Sequence, residues 1–332
     1  MKTSLSVPLS VLVSTLSLFQ GSPALAQGVV RYNAKDERKL LGPRYQGRLV
    51  PMARMNQLAE ESEETGDPLI FIHGRSGSVK NFTQLLLSTP RFSDYRLFYF
   101  AYDDLHRSLK RSAQDLALSI MKLRTPRVTL IAHSMGGLIA RETLNYLAKN
   151  GFGENVPAIR VISIDSPWQG GTSSGCTLKG TSVDRMVEYF LPAALTDMRS
   201  CSEFFQGLYS VDWPEKFSIE LYFAQHGAQA LDHSEAPLNR LPEKIANLFS
   251  SDTPMTGTLY EMNFWNALST SSQYPAFVNE LSAIPEHSKI TAKDVKNLLE
   301  KHFPRFPGDH SSVMMPHPQA DLDLPKYLQE IL

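Results

Sequence analysis

The residues of this chain best suited to covalent chemistry are centred on Ser134, in the stretch Val128-Thr-Leu-Ile-Ala-His-Ser-Met-Gly-Gly-Leu-Ile-Ala-Arg141. Val128 to Ala132 is a short, apolar, partly β-branched run, the pattern of a strand buried on both faces of a parallel sheet. After Ser134, Leu138, Ile139, Leu144 and Leu147 recur at helical spacing, which leaves Arg141 and Glu142 for the outer face. A serine on the switch between strand and helix, flanked by Ala132 and Gly136, matches the nucleophile-elbow pattern G-x-S-x-G with alanine in its first place. Small residues are needed there because the two backbones pass close together in so tight a turn. The turn holds a hydroxyl clear of the sheet, beside the free N–H groups of a helix N-terminus that can stabilise an oxyanion. The competing role, a serine that only caps a helix, requires neither the buried strand before it nor the Gly136-Gly137 pair after it.

Ala132-His-Ser-Met-Gly-Gly-Leu-Ile-Ala-Arg141 resembles the elbow of the lipase and esterase branch of the α/β-hydrolase family. The resemblance implies a mostly parallel sheet flanked by helices, with a cap or lid insertion. It also implies acyl transfer to water through a Ser-His-acid triad and an acyl-enzyme, with no cofactor. In that family a late histidine serves as base, and Gly308-Asp-His-Ser-Ser-Val-Met-Met-Pro316 has its surroundings, which points to His310. The His73-Gly74 pair resembles the loop that precedes the oxyanion-hole residue; by position that residue is Arg75, and Met135 supplies the second backbone N–H. His73 itself is then a structural residue bracing the loop. The acid is expected just beyond the strand Ser218 to Ala224, where Asp232 has the right spacing and Asp252 is the alternative. Asp165 and Glu286 remain behind them; some animal lipases carry the acid after the strand that Asp165 ends.

Several elements must position these groups. Pro68 to Ile72 reads as a buried strand running into a glycine-rich turn, and Tyr95 to Tyr102 as an aromatic-rich strand. Residues 107 to 123 carry Leu109, Leu116, Ile120 and Leu123 at helical spacing. Ala158 to Asp165 is another strand, followed by the turn Ser166-Pro-Trp-Gln-Gly-Gly171. Residues 172 to 217 have the features of a cap, with an apolar segment from Val183 to Leu195 and a Phe204-Phe205-x-x-Leu208 piece resembling the segment that returns from the family's lid. An apolar cap over a serine site points to an acyl or other lipophilic substrate. Residues 253 to 305 read as a further insertion containing a helix from Ala292 to His302, and a terminal helix covers Leu324 to Leu332.

At 332 residues the chain can hold one large α/β domain or two small ones, and its 42% hydrophobic content suffices for a real core. Its formal net charge of −1 excludes the basic footprint of a nucleic-acid binder and leaves small neutral or amphiphilic partners, with transient contact to a membrane or lipid surface. The chain has no His-x-x-x-His or paired-cysteine spacing, so no metal is expected. Lys2, the mostly apolar run from Leu5 to Phe19 and the small-x-small site Ala24-Leu-Ala26 read as a secretory signal peptide over residues 1 to 26, with a catalytic domain over 27 to 332. Export to the periplasm or the medium sets the reading of Cys176 and Cys201: in an oxidising compartment they are expected to pair, the alternative being two buried thiols. On this reading the chain hydrolyses esters; the same triad also serves thioester, amide or acyl-transfer chemistry, and a non-catalytic binding protein of the same fold is the remaining class.

Overall fold

Every residue of the run Pro68–Ile72 is buried, which is what an apolar strand covered on both faces requires. In a computed structural model that describes residues 46–52, 66–150, 155–170, 192–226, 259–285 and 291–332, this run is the second of seven strands in one sheet. The strands are β1 (Arg48–Pro51), β2 (Pro68–Ile72), β3 (Arg96–Ala101), β4 (Arg127–His133), β5 (Ala158–Ile164), β6 (Phe217–His226) and β7 (Arg305–Asp309). Their spatial order is β1-β3-β2-β4-β5-β6-β7. Only β1, at the edge, runs antiparallel; every other pairing is parallel.

Parallel neighbours need crossover connections, and helices supply them. In chain order the α-helices are α1 (Thr83–Ser88), α2 (Leu109–Lys122), α3 (Met135–Lys149), α4 (Ala193–Asp197), α5 (Glu203–Leu208), α6 (Leu259–Ser269), α7 (Tyr274–Ser282), α8 (Ala292–His302) and, after the last strand, α9 (Leu324–Ile331). Alternate side chains of the strands feed two cores. Ile70, Phe98, Leu130, Val161 and Leu221 pack on one face against α2 and α3, through residues such as Leu116, Leu138 and Leu144, and against Leu268, Phe277 and Leu299 of α6, α7 and α8. Leu69, Tyr99, Ile131, Ile162 and Tyr222 pack on the other face with Phe82, Leu85, Leu324 and Leu328. The described part of the expected insertion over 253 to 305 thus places α6, α7 and α8 on the first core.

The outer face expected of the elbow helix is covered instead. Arg141 is buried, its guanidinium lying 4.6 Å from the ring centroid of Tyr209 and 4.4 Å from that of Trp213, while Nε donates to the Leu208 carbonyl at 3.0 Å. Asn145, one turn on, donates to the same carbonyl and accepts from Trp213 Nε1 at 2.8 Å. Cation–π stacking and a charge-assisted hydrogen bond make this burial tolerable. The helical period correctly set Arg141 apart from the Leu138 stripe, but the chain returning through residues 204 to 213 lands on that face. Burial lowers the Arg141 pKa to about 10, so it keeps its charge at neutral pH.

Beyond the reach of β7, the outer edge of β6 is closed by a side chain. Leu221 N–H donates to Gln273 Oε1 at 2.7 Å, and Gln273 Nε2 donates back to the Leu221 carbonyl at 3.2 Å, so one amide imitates a strand neighbour. Leu221 is fully buried, and Gln273→Ala leaves two backbone groups there without partners. We expect it to lower the unfolding free energy by about 1–3 kcal/mol in urea titrations, with Gln273→Glu intermediate because it keeps an acceptor but not the donor.

Candidate active site

The chain between β4 and α3 turns at Ser134 with φ 56° and ψ −131°, a conformation that residues other than glycine rarely adopt. Three approaches enforce it. Ser134 N–H donates to the Ile164 carbonyl at the end of β5, at 2.9 Å. A Cβ on Gly136 would sit 2.4 Å from the Ile72 carbonyl oxygen, so no larger residue fits between α3 and the end of β2. A Cβ on Gly74 would lie 2.5 Å from Ser134 Cβ, which puts the loop after β2 directly against the nucleophile. The strand-turn-helix inferred from Ala132, Ser134 and Gly136 is therefore present, with the steric reason the pattern implies.

His310 follows β7 in a loop stapled by Asp309. The Asp309 carboxylate accepts from the N–H groups of Ser311 and Ser312 and from the Ser312 hydroxyl, between 2.8 and 2.9 Å. These bonds, those of Ser312 foremost, hold its pKa below the ordinary carboxylate value. Val313 and Met314 anchor the loop in the second core. The imidazole then spans two partners. Its Nδ1–H donates to Asp165 Oδ2 at 2.5 Å, and Nε2 accepts from the Ser134 hydroxyl at 2.9 Å. The carboxylate on one side fixes which ring nitrogen is bare on the other.

Asp165 reaches this position because β4 and β5 are parallel neighbours in register, His133 opposite Ile164, so the next residue of each leaves the sheet at the same level. It also has positive φ, 45°, which aspartate tolerates better than most residues. Its N–H donates to the Tyr222 carbonyl at 2.7 Å, Oδ1 accepts from Ala224 N–H at 3.1 Å, and the side chain is 1% exposed. A buried carboxylate with a backbone donor on one oxygen and an imidazole on the other is oriented for one acceptor role. Asp232, Asp252 and Glu286 lie outside the described residues. Asp165, the carboxylate ranked behind Asp232 and Asp252 in the sequence, is the one that meets His310 Nδ1 among the described residues. The available signal was that Ser134 and Asp165 each follow directly on a buried apolar strand; the sequence does not say that those strands are adjacent.

Arg75 and Met135, the residues expected to supply the oxyanion donors, are in the loop after β2 and at the start of α3. Met135 is the first residue of α3, where N–H groups have no partner within the helix. Arg75 and Ser76 are the central residues of a turn closed by Gly77 N–H donating to the Gly74 carbonyl at 3.1 Å, and Ser76 N–H donates to the Asp104 carboxylate. The Arg75 side chain is exposed. His73 is buried, stacked 4.4 Å from the Tyr102 ring, whose hydroxyl donates to the His73 carbonyl at 2.5 Å, and its Nδ1 lies 2.6 Å from the Gly74 carbonyl oxygen. Among the described residues, no group of three or more His, Cys, Asp or Glu side chains is placed to hold a metal ion. Cys201 is buried, while Cys176 lies outside the described residues, as do residues 1–26, read above as a leader, and residues 171–191 of the expected cap region.

No family model matches the chain, and no curated protein matches it. Among solved structures it is similar to the Vlm2 thioesterase domain, at 16% identity over 86% of this chain and 97% of that one, with a TM-score of 0.41. It is similar also to a Bacillus licheniformis lipase, at 14% identity over 51% of this chain and 69% of that one, with a TM-score of 0.36. A lipase-esterase related protein from Clostridium acetobutylicum is matched at 14% identity over 53% of this chain and 79% of that one, with a TM-score of 0.33. The fold assignment rests on the strand order, the antiparallel edge strand and the helical layers, which are those of an α/β-hydrolase.

Asp165→Asn removes the carboxylate while keeping the side chain's size. If Asp165 orients His310, kcat falls on the order of 10³–10⁴-fold for an ester substrate, while Asp232→Asn and Asp252→Asn change it less than about threefold. Steady-state kinetics on the three variants check the assignment.

Proposed function

We propose that the chain is a serine hydrolase that cleaves carboxylic esters with lipophilic acyl groups, using Ser134 as nucleophile, His310 as general base and Asp165 as the orienting acid. One observation carries the reading: His310 joins the Ser134 hydroxyl and a buried carboxylate through opposite ring nitrogens, at 2.9 and 2.5 Å. That distance to the hydroxyl is within reach for proton transfer.

In the acylation step Ser134 Oγ attacks the ester carbonyl carbon as its proton passes to His310 Nε2. The imidazolium formed is stabilised by Asp165, and the developing oxyanion is held by the Met135 and Arg75 amides. Collapse of the tetrahedral intermediate expels the alcohol, which takes the proton from Nε2. Water then repeats the sequence on the acyl-enzyme: His310 removes its proton, the serine ester bond breaks, and the carboxylic acid leaves. Nothing is oxidised or reduced, and the proton returns to Ser134.

The lipophilic substrate is supported by the resemblance of the elbow to lipases and esterases and by the apolar cap segment from Val183 to Leu195. Export is part of the same reading, supported by the Lys2 start, the apolar run to Phe19 and the Ala24-Leu-Ala26 site. In an oxidising compartment Cys176 and Cys201 pair and staple the cap region to itself.

The test is labelling of the mature protein by a fluorophosphonate probe, with nitrophenyl esters and the matching thioesters of two to sixteen carbons assayed beside it. Rapid labelling, lost in Ser134→Ala and slowed at least about 10³-fold in His310→Ala, is the expected result, with ester kcat/KM rising with chain length. A folded protein that neither labels nor turns over, detergent present, overturns the hydrolase assignment; a preference for thioesters overturns the substrate class alone.

A further inference from the structure

The residue before the nucleophile carries a function the triad does not explain. His133 is the last residue of β4 and is 4% exposed. Its Nε2 lies 2.7 Å from the His310 carbonyl oxygen, and the two imidazoles are 4.7 Å apart, inclined at 33°. A carbonyl only accepts, so the proton of His133 is on Nε2. Nδ1 is then a bare acceptor, and it is buried with no hydrogen-bond partner among the described residues.

That orphaned nitrogen is informative. An unpaired polar atom in the interior is destabilising, and an apolar ring of the same size would remove the penalty. A histidine here is therefore poorly chosen for packing alone. What it does that phenylalanine cannot is donate one hydrogen bond, to the backbone of the residue that must reach Ser134. We infer that His133 is a positioning residue that locks the His310 loop to the nucleophile elbow, an inference that rests on the Ser134–His310 reading above.

The geometry gives this bond leverage. His133 and Ser134 are consecutive, and their side chains meet the carbonyl and the imidazole of one residue 176 to 177 positions later in the chain. Fixing the His310 carbonyl fixes the position from which its ring leaves the backbone, and so the placement of Nε2 against Ser134 while Nδ1 engages Asp165. The His310 loop belongs to β7, the edge strand, which pairs with β6 only through Phe223 to His226 and with a register shift at Ala224/His226. The His133 bond reaches across to it from a central strand.

Neutrality matters as much as the donor. Burial, together with the positive charge His310 can carry, pushes the His133 pKa down to about 4, against the opposing pull of its bond to the His310 carbonyl and of Asp165; His73, also beside it, disfavours a charge too. An uncharged donor orients His310 without opposing the imidazolium that forms on that ring in the acylation step.

Two amides separate this role from packing. The amide nitrogen of glutamine lies near the place of Nε2, whereas that of asparagine lies near the place of Nδ1. We expect His133→Gln to retain ester kcat within about fivefold. His133→Asn and His133→Phe should lose kcat about 20- to 200-fold, with KM little changed and fluorophosphonate labelling slowed in parallel. Melting temperatures decide against a folding effect: His133→Phe is expected to be at least as stable as the wild type and still slow. Equal rates for Gln, Asn and Phe, or losses that follow melting temperature, overturn the inference. A wild type that does not label overturns the hydrolase reading itself, so the two failures are distinct.

Discussion

The site depends on a single conformation, the elbow at Ser134, where a non-glycine residue is held at φ 56° and ψ −131°. A backbone in that region costs on the order of 1–3 kcal/mol and persists only when its surroundings leave no alternative. Here β4 on one side and α3 on the other are both buried, and Gly136 passes under the Ile72 carbonyl with no room for a side chain. The helix cannot rotate to relax the turn without driving Leu138 and Leu144 out of the core. Packing of a whole helix thus sustains the strain at one residue, and the strain presents the hydroxyl.

From that fixed point the parallel sheet delivers the other groups. Residues leaving adjacent parallel strands at the same level are neighbours, so Ser134 and Asp165 emerge side by side from β4 and β5. His310 comes from the far edge, and its loop is organised by local means, the Asp309 carboxylate and the anchors Val313 and Met314. The two contributions meet at His310, which is 39% exposed while its acid partner is 1% exposed. On the proposed mechanism the buried partner orients, and the accessible one exchanges protons with substrate and water.

Much of this was legible in the sequence, for identifiable reasons. Strands β2, β4 and β5 are apolar runs too short and too β-branched for helices, and α2, α3 and α8 repeat their apolar residues at helical spacing, so type and extent follow from period alone. The elbow and the histidine loop were legible because strained turns restrict residue choice. The acid was not, because any aspartate after a strand satisfies the local pattern and strand adjacency is a property of the sheet. Arg141 was misplaced for a related reason: a helical wheel separates faces but does not reveal that Tyr209 and Trp213 will cover the polar one. Gln273 left no trace, since pairing with the edge of β6 depends on a register that no short window contains.

The account's central claim is geometric: one imidazole bridges Ser134 and Asp165, and on the proposed mechanism the Arg75 and Met135 amides receive the substrate's carbonyl oxygen. The most direct measurement is a crystal structure of the protein inactivated by an alkyl phosphonate ester, which mimics the tetrahedral intermediate. The account predicts phosphorus bonded to Ser134 Oγ, the phosphoryl oxygen within about 3 Å of both amides, and His310 still on Asp165. Phosphorus on another residue, or a His310 ring held by a different carboxylate, would contradict it.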